Sequence, residues 1–171
     1  MRRGGRPPAA PRRRPRAAAR VDTPCARGDT RPMISKVAVG LDGSATASKA
    51  VDMAAELARR FDAELVLLSV FRKGDPAPVD RDAELEFADH EGARQGEMVA
   101  RTVHRLKEAG VRCSTRTGEG NPGEVLVQLA EDAGADVIVV GNKGMEHRIL
   151  GSVPNHVTHK AGCSVLVVKT T

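Results

Sequence analysis

From Ile34 onward the apolar positions alternate between two periods. Short aliphatic runs stand at SKVAVGL (35–41), AELVLLSVF (63–71), ADVIVVG (135–141) and SVLVVK (164–169), and a more polar one, VRCSTRTG, at 111–118. Their length and β-branched content predict five strands, the third nearest an edge. Between them the period is helical. Ala50, Met53, Ala54, Leu57, Ala58 and Phe61 are spaced for one face of a helix that Ser44 caps. A Pro- and Asp-rich loop, GDPAPVDRDAEL (74–85), precedes a long helix reaching about Ala109, with Lys107 in its last turn and Gly110 as its stop. Asn121, Pro122 and Gly123 open a third helix whose apolar face is Val125, Leu126, Leu129 and Ala130. A fourth helix runs from about Ser152, its expected N-cap, to His159.

Aliphatic strands separated one by one by helices predict an α/β fold, a doubly wound five-stranded parallel sheet of the Rossmann-like or flavodoxin-like kind. Ligands of such sheets bind beyond the carboxyl ends of the strands. Four segments follow strands and so mark the site: LDGS, SVFRKGD, TGEGNP and GNKGMEHRILGS.

Composition narrows the choice. Hydrophobic residues make up 40%, but aromatics only 2%, so the core is aliphatic and a base-stacking surface for single-stranded nucleic acid is excluded. No apolar run approaches the roughly 20 residues that cross a bilayer, so no membrane association is expected. Cys25, Cys113 and Cys163 form neither a disulfide framework nor a metal pair, which fits a reducing, cytoplasmic setting. The net charge of +5 arises at one end. Residues 1–32 hold ten Arg and two Asp, whereas residues 33–171 hold 17 basic and 20 acidic residues. The Arg-, Pro- and Ala-rich stretch 1–32 offers nothing to bury and is expected to be a disordered extension. Two readings of it stand: an arm for nucleic acid or another acidic surface, or translated upstream sequence ahead of a true start at Met33. The folded domain is 33–171.

The chemistry concentrates after the fourth strand. Gly141 and Gly144 let the chain turn and a ligand approach, Lys143, His147 and Arg148 add positive charge, and Gly151 and Ser152 begin a helix. A helix N-terminus reached through glycines is an anion site, and phosphate is its natural guest. The alternative is that these glycines cap a strand and a helix. Asp42, in GLDGS, can accept from ribose hydroxyls or hold Mg²⁺ through water; equally, it can make an Asx turn with Gly43 and Ser44. Neither GxGxxG nor a P-loop occurs at this first turn. His156 and His159 share a helical face without a third metal ligand, Cys113 and Cys163 read as small buried apolar groups, and Asp80 to Glu91 as a solvated face. No nucleophile and base pair stands out.

Taken together, AVGLDGS, GNKG, GSVPNHV and VLVVK make residues 33–171 resemble a universal stress protein. The mark of the family's ATP-binding members is a loop G-x2-G-x9-G-[ST] after the fourth strand. Gly141, Gly144, Gly151 and Ser152 match it in kind, but only the six residues Met145 to Leu150 separate Gly144 from Gly151, three fewer than usual. The resemblance implies a strand order of 3-2-1-4-5. It implies ATP, with Mg²⁺ at Asp42, as the cofactor. Gly40 and Asp42 would lie against the adenosine, and Val70 would touch adenine with Val140 lining the same slot. Gly141, Asn142, Lys143 and Gly144 would wrap the ribose and phosphates, Arg148 would add charge, and Gly151, Ser152 and Val153 would bind the phosphates. It also implies a homodimer paired through the last strand. The function so implied is an ATP-binding stress-response sensor or switch with at most slow hydrolysis. The alternatives are an adenine-nucleotide enzyme of a related α/β fold, or a nucleotide-free dimeric scaffold.

Overall fold

The computed structural model describes residues 32–71, 90–142 and 150–169, with side chains from residue 94 onward in the second segment. The chain alternates strand and helix: β1 (Lys36–Leu41), α1 (Ala45–Phe61), β2 (Glu64–Phe71), α2 (His90–Glu108), β3 (Cys113–Glu119), α3 (Pro122–Ala133), β4 (Val137–Asn142), α4 (Ser152–Lys160) and β5 (Ser164–Lys169). All strand pairs are parallel, and the order across the sheet is β3-β2-β1-β4-β5. Residues 1–31 and the loop 74–85 lie outside the described residues, as does Cys25.

Helix boundaries follow local chemistry. Ser44 accepts a hydrogen bond from the Ala47 N–H at 3.0 Å, which satisfies one of the orphan donors of α1. Asn121 does the same for Gly123 at 3.0 Å, with Pro122 in the first turn of α3. Gly110 and Gly134 close α2 and α3 in the left-handed region, at φ of 73° and 65°.

Strand residues alternate between two cores. Val37, Val39, Leu65, Leu67 and Val139 meet α1 and α2 on one face; Ala38, Val66, Leu68, Ile138 and Val140 meet α3 and α4 on the other. The expected face of α1 is corrected in part. Ala50, Ala54 and Ala58 are buried, joined by Ala47, Val51 and Ala55, but Met53 and Phe61 are 45% and 44% exposed. A stripe of small residues faces the strands, and the larger pair stands beside it, partly in solvent.

The two edges differ. On β3, Thr115, Arg116 and Thr117 are exposed, whereas on β5 Val165 to Val168 are all half-buried. The two ends of the sheet differ more. At the amino end, the Asp136 carboxylate accepts from the Ser35 N–H (2.7 Å), the Ser35 hydroxyl (2.9 Å) and the Lys36 N–H (2.9 Å), tying β1 to β4. Lys36 Nζ adds a bond to the Ala133 carbonyl at 2.9 Å. At the carboxyl end the ladder between β1 and β4 stops early.

Candidate functional site at the carboxyl end of the sheet

Pairing between β1 and β2 runs the length of β1, from Lys36↔Glu64 to Leu41↔Ser69. Pairing between β1 and β4 stops at Val39↔Val139, although β4 continues beside β5 to Asn142↔Lys169. The sheet therefore splits between β1 and β4 at the point where its winding direction reverses, the position at which open α/β sheets take ligands.

The expected site residues sort by strand parity. Gly40, Val70, Val140 and Asn142 lie on the α3/α4 side, and Gly141 on the α1 side. A Cβ on Gly40 would stand 3.2 Å from a Leu126 methyl, so this glycine admits α3. Val70 is half-buried, and Val140 is 3% exposed, a core residue more than a slot wall. Gly141 serves a different purpose from the turn expected of it. A Cβ there would lie 2.6 Å from Thr46 Cγ2 and 2.7 Å from the Thr46 carbonyl oxygen. The first turn of α1 thus presses into the split, and Gly141 makes room for it. Gly151 has φ −58°, which any residue adopts, so it too does no positive-φ work.

Asp42 is exposed and makes the Asx turn: its Oδ1 accepts from the Ser44 N–H at 2.9 Å, with Gly43 at φ 77°. The second carboxylate oxygen leaves it able to take a further partner. Asn142, expected beside the ribose, is 9% exposed, and its Oδ1 accepts from the Gly151 N–H at 3.1 Å. That bond clips the start of α4 to the end of β4, bringing Asn142, Gly151, Ser152 and Val153 together. Lys143, Gly144, His147 and Arg148 lie outside the described residues.

The start of α4 corrects a second expectation. Its N-cap is Gly151, not Ser152, and no side chain caps it. Ser152 is exposed. The helical ladder opens with the Asn155 N–H donating to the Gly151 carbonyl at 2.9 Å, so the amides of Ser152 and Val153 are not used by the helix. Both α1 and α3 have a side-chain cap; among the described residues no side chain caps α4, whose first amides stand at the positive end of its dipole, which suits an anion.

Two positions escaped the sequence reading. Ser69, 2% exposed, accepts from Gln95 Nε2 at 3.0 Å, and the same amide donates to the Val70 carbonyl at 3.2 Å. Ser69 was the polar interruption in an aliphatic run; Gln95 carried no signal within its amphipathic helix. A small hollow of about 160 Å³, lined by Leu41, Gly43, Ser44, Ser48 and Met98 among others, lies on the α1/α2 side, beside the turn that carries Asp42.

The remaining candidates separate. His156 packs against Gly123, where a Cβ would stand 2.9 Å from that of the histidine, whereas His159 is exposed with Nδ1 2.8 Å from the Asn155 carbonyl. Cys113 and Cys163 are half-buried rather than fully buried, and partial burial pushes both thiols up. Among the described residues no cluster of three His, Cys, Asp or Glu side chains is arranged to hold a metal ion, and no helix is long and apolar enough to cross a membrane.

Residues 33–169 match the model of the universal stress protein family. A universal stress protein of Mycobacterium tuberculosis is 35% identical over 144 residues, covering 79% of this chain and 96% of that one. One of Methanocaldococcus jannaschii is 31% identical over 141 residues, covering 80% and 83%. A universal stress protein solved in complex with cAMP is 31% identical, with a TM-score of 0.64 and coverage of 81% and 99%. A family protein of Arabidopsis thaliana solved with AMP bound shares the fold at 22% identity, TM-score 0.58, covering 80% and 92%. The chain belongs to the universal stress protein family.

Proposed function

We propose that this protein is an adenine-nucleotide-binding regulator, a sensor whose occupancy alters a partner surface. The observation that carries the reading is the uncapped start of α4 beside the split between β1 and β4. Phosphate would complete the amides of Ser152 and Val153, assisted by the Ser152 hydroxyl and by Lys143, Gly144 and Arg148 of the glycine loop. Asp42 would face the ribose or hold Mg²⁺ through water, and Gly40 and Val70 would border the base.

ATP with Mg²⁺ is the ligand that the glycine loop favours. A cyclic nucleotide is the second reading, supported by the loop's missing three residues and by the cAMP held by a relative 31% identical. Binding would act as a switch only so far as ligand affinity differs between two states of the protein. Hydrolysis would be slow at most, since none of the described residues places a base or an arginine finger for it. The half-buried valines of β5 support pairing with a second copy along that edge, because an apolar edge strand is otherwise an aggregation liability.

Ser152→Glu tests the reading. An acid in the first turn favours the helix by about 0.3–1 kcal/mol, yet it sets a negative charge against any phosphate there. The variant should melt no lower than wild type while its affinity for ATP with Mg²⁺, and for cAMP, falls at least about tenfold, roughly 1.4 kcal/mol. Unchanged affinity for both would remove α4 from the site.

A further inference from the structure

The pairing pattern explains the unusual position of Gln95. Along β2, backbone groups alternate between neighbours: the Glu64 N–H donates to Ser35 ahead of β1, and the Leu65 N–H to Arg112 ahead of β3. The Phe71 carbonyl accepts from Gly120, on the β3 side, at 2.9 Å. By the same alternation the Val70 carbonyl points toward β1. Pairing with β1 ends one residue earlier, at Leu41↔Ser69, because Asp42 and Gly43 turn the chain away. The carbonyl that the ladder abandons is taken by Gln95 Nε2 from α2, and the second hydrogen of the same amide goes to Ser69 Oγ.

We propose that Gln95 is a positioning residue that sets the site's preference for a 6-aminopurine over a 6-oxopurine. This rests on the adenine-nucleotide reading above. A carbonyl oxygen carries two acceptor sites, and Gln95 occupies one. A purine bound where β1 departs from β2 would meet the remaining site. An exocyclic amino group there completes the oxygen; a ring carbonyl at the same place sets acceptor against acceptor and leaves the ring oxygen without a donor. Without Gln95, the end of β2 is free to rotate that carbonyl away, and the discrimination goes with it. Ser69 serves only to orient the amide.

The test compares AMP with IMP, which differ in the group at purine position 6 and in the proton that the 6-oxo form carries on N1, by titration calorimetry on the full chain. Wild type should prefer AMP. Gln95→Leu, which keeps bulk but donates nothing, should reduce the AMP-to-IMP affinity ratio about three- to tenfold, the range set by losing one hydrogen bond. Gln95→Glu, nearly isosteric, should reduce it too, whereas Ser69→Ala should leave the ratio within about twofold, since the bond to Val70 survives. A ratio is insensitive to the fraction of protein folded, so a merely structural role would not move it. An unchanged ratio in Gln95→Leu and Gln95→Glu overturns the inference alone, as does an equal drop in Ser69→Ala. Wild type binding neither nucleotide overturns the nucleotide reading beneath it.

Discussion

The amino and carboxyl ends of the β1–β4 pair are built from the same kind of strand and finished in opposite ways. At the amino end Asp136 collects three hydrogen bonds from Ser35 and Lys36, and the strands are paired from Val37↔Val137. At the carboxyl end the pairing stops after three residues, α1 intrudes at Gly141, and α4 starts without a side-chain cap. One end is tied across the two strands by a single carboxylate, and the other opens where α1 and α4 begin. Ligand chemistry is expected at the open end.

The largest effect should come from breaking the close contact between Gly141 and Thr46. Gly141→Val drives side-chain atoms into the Thr46 backbone and should cost about 3 kcal/mol or more in denaturant unfolding. Gly151→Ala, by contrast, meets nothing closer than 3.6 Å among the described residues and should stay within about 0.5 kcal/mol of wild type. If the two glycines proved equally costly, the assignment of Gly141 to packing would be wrong. Next comes the closed end: Asp136→Ala leaves two backbone amides of β1 without their acceptor and should cost about 2–4 kcal/mol, read from the urea midpoint. Nucleotide affinity measured below the melting transition should be unaffected by it. The smallest contrast is between two serines at helix starts. Ser44→Ala loses a cap worth about 1 kcal/mol, while Ser152→Ala should change thermal stability by no more than a few tenths. Equal losses would mean that Ser152 caps α4 in solution after all.

The architecture was legible because the aliphatic runs and helical periods are strong and because caps such as Ser44, Asn121 and Gly110 sit where local chemistry wants them. The strand order came with the family resemblance rather than from the periodicity, which says nothing about neighbours. What failed was what depends on packing. Met53 and Phe61 satisfy the helical spacing, yet a stripe of alanines faces the strands and both stand beside it, partly in solvent. Gly141 read as a turn because glycine is ambiguous between torsional freedom and close approach; only the position of Thr46 separates the two. Ser152 read as a cap because serine usually is one, but Asn142 reaches across nine residues to take the Gly151 amide and shifts the helix start by one. Gln95 was invisible, since its role depends on a ladder bond that β1 fails to supply.

The open end, not the closed one, is the proposed adenine-nucleotide site. The most direct measurement is a backbone amide NMR titration of the full chain with ATP and Mg²⁺, and separately with cAMP. Saturable shifts at Gly151, Ser152 and Val153, joined by Asp42 and Val70, with Ser35 and Lys36 unmoved, are the predicted result. Shifts centred on Ser35, Lys36 and Cys163, or none at millimolar nucleotide of either kind, would contradict it.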